Sequence, residues 1–450
     1  MIRLPLGIPS PFLQEIRVHK KLAERNIVIT GTGLLTPLGK DVKENRLNLR
    51  LQRTGIRAFP EKLHPQTLHY SGRISSFKPP GTIPQRLRNQ VRFLNRGSLL
   101  GLAAAVEAVE ESRINLSDVP PERRALYIGT GDLTKVGHEF MFPATKKGSG
   151  GRFRDIDHRV LNKSSMNDVD PFFLLESMHN NLFSFLSALF GLKGPNACLA
   201  TLSPSGLHAL ESACRCIGEY EADIALVVGS GNWASEIPHY EIDRIGLVSK
   251  CTEGVRSFRP FDKLRDGFIP GEGGAAILLE AEEIARNRNA VIFASPRGFG
   301  NCIDFPPDRG FGLPDKVGRR SIEMALDQGG HDMDDLGFIN LHGSATQMGD
   351  ESELRSVKAV FDGRRSSAPV CGMKPYTGHM GAASDIAEVI LGMKAIKEGM
   401  VPTTLNFEET EDEFAGLSIS GSHQICEKDM FLSTSYGLGG QSSSVLVKVE

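Results

Sequence analysis

Short apolar runs that end in glycine, each followed by a segment with helical spacing, recur along the chain, and this rhythm constrains its fold more than any other feature. "NIVITGTGLLTPLG" (26–39), "ALYIGTG" (125–131) and "DIALVVGSG" (223–231) are of this kind. The pattern returns after residue 285 with "AVIFASPRGFG", "GFINLHGSAT" and the closing "DMFLSTSYGLGGQSSSVLVKVE". Between them, helical spacing of apolar residues predicts helices at 98–113, 170–194 (mostly buried), 318–328 and 350–361. Unalternated apolar strands separated by helices predict an α/β protein whose sheets are covered on both faces. The halves share a rhythm without a residue-level repeat.

At 450 residues the chain can bury a large core. We divide it into an N-terminal extension (1–25, partly helical from Pro11), an N-terminal half (26–285) and a C-terminal half (286–450). The polar, turn-rich stretch 132–170 reads as a surface excursion. A net charge of -2 gives no support for a nucleic-acid or anionic-membrane partner. No run of 18 apolar residues predicts a membrane span, and the N-terminus does not read as a signal peptide. Seven cysteines with no CxxC pair argue against a disulfide framework or a zinc site and fit a reducing cytoplasm. There is no GxGxxG after a strand and no GxxxxGK[ST], so a nucleotide cofactor has no support.

The stretch "GPNACLATLSPSGLHALES" (194–212) runs from a strand into a helix, with Ser203 at the junction. Backbone N–H groups and the positive end of the helix dipole meet at such a place. Ser203 can be a nucleophile there, or simply cap the helix with Pro204 at its first position. His342 leaves a strand into a glycine turn, and His379 lies five residues after Lys374 in "KPYTGH". Both are placed to face a pocket; taken singly, each is more often a hydrogen-bonded structural residue. His208, on a helix of Ala, Leu and Cys, reads as packed core. "YGLGG" (436–440) could bring backbone N–H groups to a ligand.

Taken together and in order, these segments resemble the β-ketoacyl-acyl carrier protein synthases, the condensing enzymes of fatty acid and polyketide synthesis. "VITGTGLLTPLG", "GLKGPN", "RPFDKLRDGFIPGEGGAAILLE", "HGSAT" with Asp350 and Glu353, "KPYTGH" and "YGLGG" carry the likeness over residues 26–450. The resemblance implies the thiolase fold, a duplicated five-layered α/β/α/β/α arrangement, in a homodimer or a heterodimer with another synthase. It implies an acyl carrier protein as partner, whose phosphopantetheine brings the substrate, with no metal and no cofactor of the chain's own. It maps catalytic roles onto His342, His379, Lys374 and Glu353, with Glu353 as the acidic partner of Lys374. It places Ser344 and Thr346 on the pantetheine and Leu438 and Gly439 at the substrate, Leu438 standing where the family has a gate phenylalanine, which implies a more permissive entrance.

The family's nucleophilic cysteine falls on Ser203, in "LSPS" where the family has A-C-A-T; Cys198, five residues upstream, does not replace it. A thiol with a pKa of about 8.5 ionises at a helix N-terminus, whereas a serine hydroxyl needs a base within hydrogen-bond reach. His342 or His379 could be that base, with the N–H groups of Ser203 and Leu438 as an oxyanion hole. Four readings follow: a condensing enzyme that uses Ser203, a malonyl-carrier decarboxylase, a Ser–His acyltransferase or thioesterase, and a non-catalytic partner resembling a chain-length factor. Both histidines, Lys374 and Glu353 together argue against the last, and weight Ser203 towards chemistry over capping.

Overall fold

The computed structural model describes residues 25–58, 70–131, 140–152, 154–173, 175, 178, 180–305, 312–361 and 368–450. The helix expected from Pro11 therefore lies outside the described residues. Ten strands form the main sheet: β1 (Ile27–Leu35), β2 (Arg124–Thr130), β3 (Asn196–Leu199), β4 (Ile224–Asn232), β5 (Glu272–Ala281), β6 (Ala294–Ile303), β7 (Phe338–Asn340), β8 (Val370–Cys371), β9 (Met430–Tyr436) and β10 (Gln441–Val449). The helices that frame the site are α1 (Arg96–Ser112), α2 (Asn180–Phe190), α3 (Ser205–Gly218), α4 (Arg319–Gly329), α5 (Gln347–Phe361) and α6 (Ala382–Lys397).

The strand order is β8-β7-β9-β10-β6-β1-β5-β4-β2-β3. Outward from the middle, each half follows one plan: its first strand pairs antiparallel with its fifth, the fifth antiparallel with its fourth, the fourth parallel with its second, and the second parallel with its third. The register between the halves rests on one pair, Ile29 with Ala294. The duplication absent from the residues is thus present in the topology.

Five layers result. Helix α1, with α2 packed on it, covers the outer face of the N-terminal strands, and α4, with α5 packed on it, covers the C-terminal ones. Helices α3 and α6 fill the space between the two halves. Every residue of α6 from Ala382 to Met393 is buried, as expected of a helix covered on all sides. Glycines permit the close packing: a Cβ on Gly33 would lie 2.0 Å from the Ala104 carbonyl oxygen of α1. One on Gly206 would lie 2.7 Å from the Ala382 carbonyl oxygen, so α3 and α6 cross at backbone contact where the site is built.

Two expectations shift. The helix expected over 170–194 runs from Asn180 to Phe190 and buries only one stripe, Leu182, Phe185 and Leu186. Upstream, the Asp170 carboxylate accepts the Phe172 N–H at 2.9 Å, a local turn that competes with the helix, and Phe172 is exposed. The excursion at 132–170 contains two short helices, Phe142–Gly148 and His158–Asn167, the second capped by Asp157. Among the described residues no helix is long and apolar enough to cross a membrane.

Candidate active site

Ser203 follows Leu202, which adopts the left-handed conformation at φ 58°. A non-glycine residue held there is strained, and such strain collects where a side chain must be aimed. The capping role that was the alternative for Ser203 is not found. Helix α3 starts at Ser205, Pro204 takes the cap position, and no side chain caps it. The turn is braced two residues later instead: Ser205 Oγ accepts the Thr201 N–H at 2.9 Å and approaches the Thr130 carbonyl oxygen at 3.0 Å. That leaves the buried Ser203 hydroxyl free to face His379 Nε2, 3.4 Å away. His208 Nδ1 meets the Thr201 hydroxyl at 3.1 Å, and Cys198 is exposed on the edge strand β3.

His342 sits beyond β7 in a turn where Gly343 and Ala345 have φ of 54° and 57°. The turn is held by two carboxylates from one face of α5, three residues apart. Glu353 accepts the N–H groups of His342 (2.7 Å) and Gly343 (3.0 Å) and the Thr434 hydroxyl (3.0 Å). Asp350 accepts the N–H groups of Ala345 (3.0 Å) and Phe261 (2.8 Å). Burial pushes Glu353 up to about 7 and Asp350 up to about 6, against the pull of these hydrogen bonds.

Glu353 is therefore not the acidic partner of Lys374. That partner is Glu388 of α6, whose two oxygens lie 2.9 and 3.2 Å from Lys374 Nζ, with both side chains buried. Asn340 of β7 donates to the same carboxylate at 3.0 Å. The sequence held no local signal for the pair: its members are 14 residues apart on different helices, and Glu388 lies within an apolar run.

His379 directly precedes the turn into α6. Its Nδ1 accepts the Gly381 N–H at 3.2 Å, so in the neutral ring the proton sits on Nε2, the atom that faces Ser203. Burial first, and the Lys374 charge second, hold His379 well below the usual 6.5; His342 is lowered by the same two causes and by His379. The two rings meet edge to face at 5.1 Å. Trp233 and Phe268 pack on His379 at 4.5 and 4.8 Å.

Ser203, His342 and His379 open onto one cavity of about 70 Å³, otherwise walled mainly by apolar side chains that include Leu202, Trp233, Ile242 and Phe268. Ser344 and Thr346 line it and share a hydrogen bond of 2.8 Å, and Ser344 meets the Tyr436 hydroxyl at 2.9 Å. Leu438 lines the cavity and is 43% exposed; Gly439, at φ 94°, does not line it. Lys374 and Glu353 stand behind the wall and act on it through field and turn geometry. Among the described residues, neither the Ser203 nor the Leu438 N–H is taken by a backbone acceptor.

A model of the β-ketoacyl synthase N-terminal domain matches residues 24–285, and one of the C-terminal domain matches residues 311–408. The chain belongs to the β-ketoacyl synthase family. It is 28% identical to 3-oxoacyl-[acyl-carrier-protein] synthase 2 of Vibrio cholerae serotype O1, over 95% of this chain and all of that protein. With the protein of that name from Staphylococcus aureus it is 26% identical, over 94% and 98%. Among solved structures, a type II polyketide ketosynthase in complex with its acyl carrier protein matches with a TM-score of 0.80 at 21% identity, over 95% of this chain and all of that one. The ishigamide ketosynthase/chain length factor matches at 0.81 and 22%, with the same coverage. These likenesses give the thiolase fold.

For a β-ketoacyl synthase with serine at this junction, the His379 tautomer matters more than any distance. A ring whose Nδ1 accepts and whose Nε2 carries the proton donates to the Ser203 oxygen and cannot take the Ser203 proton. The Ser–His general-base arrangement expected for His379 is therefore not the one built here. Residues that reading the sequence missed are Glu388, Trp233 and Tyr436; the last two lay in view within "SGNWASE" and "STSYGLGG", but nothing local marks them as cavity walls.

Proposed function

We propose that this site takes the malonyl thioester of an acyl carrier protein and releases carbon dioxide from it, with Ser203 in the nucleophile's place but not acylated. The carrying observation is the hydrogen bond from the Gly381 N–H to His379 Nδ1. It leaves a neutral Nε2–H aimed at the cavity, suited to holding a developing enolate oxygen. In the step, the bond between the malonyl carboxylate and the adjacent methylene carbon breaks, its electron pair passes into the thioester enolate, and a proton from solvent yields the acetyl thioester. Neutral histidines, held neutral by burial and by Lys374, and an apolar wall that strips water from the carboxylate both favour this step. Acylation of Ser203 lacks a base at His379, and a hydroxyl does not ionise at a helix N-terminus as a thiol does.

The acyl carrier protein as partner is supported by the likeness to a ketosynthase held in complex with one. Pairing with a second synthase copy is supported by the sheet edge: among the described residues β3 has no strand on its outer side, and Asn196 and Cys198 are exposed there. The test is conversion of malonyl- to acetyl-carrier by the purified chain, followed by mass spectrometry of the carrier. Conversion that persists in Ser203→Ala and is lost in His379→Ala supports the proposal; loss in Ser203→Ala with retention in His379→Ala overturns it.

A further inference from the structure

We propose that Trp233 restricts this site to short acyl groups, an inference that rests on the acyl-thioester reading above. The cavity measures about 70 Å³. That space is shared with Ser344, Thr346 and Leu438, which the pantetheine arm would also use, so little of it is left for the acyl chain. Trp233 is the bulkiest side chain of its wall and lies over the imidazole that faces Ser203, its ring 4.5 Å from His379 and inclined by 30°.

The indole is locked in place. Its Nε1–H donates to the Gly131 carbonyl oxygen at 2.7 Å in a buried bond, and its own N–H donates to the Gly271 carbonyl oxygen at 3.0 Å. Behind it is Gly381, where a Cβ would come within 2.9 Å of the ring, so the indole occupies space that only glycine leaves open. The aliphatic neighbours Ile242 and Leu247 can change rotamer; a bonded, stacked indole cannot yield without losing its buried hydrogen bond. Trp233 is a specificity-determining residue, not a catalytic one.

Trp233 is also the chain's single tryptophan, so intrinsic fluorescence reports on this cavity alone. The test measures binding of acetyl-, butyryl- and octanoyl-pantetheine to the full chain, by fluorescence and calorimetry for the wild type and by calorimetry for Trp233→Ala and Trp233→Phe. The wild type should bind the acetyl compound with a change in fluorescence and gain nothing with chain length. Trp233→Ala should tighten with each methylene by up to about 4-fold, giving octanoyl at least a tenfold advantage over acetyl. Trp233→Phe should fall between, and it carries the test if the alanine variant does not fold. A wild type that already tightens with chain length overturns the restriction and leaves the functional reading standing. Variants that keep the flat wild-type profile also overturn it. A wild type that binds no acyl-pantetheine of any length overturns the functional reading and the restriction with it.

Discussion

Replacing Glu388 by Gln should cost far more stability than its place in the sequence suggests. Its carboxylate is bonded to the buried Lys374 ammonium at 2.9 and 3.2 Å and to Asn340 at 3.0 Å. Glu388→Gln keeps an oxygen for Asn340 but strands a buried cation, which costs roughly 3–5 kcal/mol. Lys374→Met strands the carboxylate and should cost a similar amount. The double variant removes both charges together and should lie within about 1 kcal/mol of the wild type, because the desolvation cost disappears with the attraction. The coupling from the cycle should therefore be at least about 5 kcal/mol. Equilibrium urea unfolding reads this as a large fall in midpoint for each single variant and recovery in the double one. Lys374→Met combined with Glu353→Gln should be additive, since Glu353 is held by backbone N–H groups and the Thr434 hydroxyl. Additivity in the first pair, or coupling in the second, would refute this assignment of the buried charges.

Three further outcomes follow from the same geometry. Removing the Lys374 charge lifts one of the influences that hold His342 and His379 below 6.5, so the acid limb of malonyl decarboxylation should move to higher pH in Lys374→Met; a limb that stays in place contradicts the field argument. Glu353 is raised from its ordinary 4.5 to about 7, so the folded state holds this proton more tightly than the unfolded chain does. That contribution is fully present below about pH 4.5 and is lost as pH rises towards 7, a difference of roughly 3 kcal/mol. Relative to the wild type, Glu353→Gln should accordingly be more stable at pH 8 than at pH 5 by thermal unfolding, and the opposite trend would count against the raised value. Gly206→Ala should destabilise by at least about 1–3 kcal/mol, since the new methyl meets the Ala382 carbonyl oxygen at 2.7 Å, and it should lower activity by moving α3 away from His379; a silent variant would show that the helices can part without cost.

The layered α/β architecture was legible because most buried strands are short apolar runs that carry or end in glycine, and some of those glycines are where helices touch the sheet, as at Gly33 under α1. The duplication came only from the family resemblance and a shared rhythm, because it resides in strand order and direction while the residues of the two halves have diverged. Ser203, His342 and His379 could be picked out because each directly follows a strand or a tight turn, where a side chain has few places to point. The cap weighed against chemistry at Ser203 is not built because Ser205 braces the same turn, a choice between two serines that local sequence does not make. The Lys374 partner was misassigned because both candidate carboxylates are buried and only the crossing of α6 with the turn at 374–377 brings Glu388 to the ammonium. The His379 tautomer, on which the chemistry turns, depends on one backbone N–H two residues away.

Intact-protein mass spectrometry after exposure to malonyl- and acyl-carrier protein, with wild type, Ser203→Ala and Ser203→Cys in parallel, tests the central claim most directly. The account predicts no adduct on the wild type or the alanine variant while malonyl-carrier is converted to acetyl-carrier. It predicts an acyl adduct on Ser203→Cys, whose thiol can ionise at the start of α3 without a base. An acyl adduct on the wild type that is absent from Ser203→Ala would make Ser203 a working nucleophile and contradict the account.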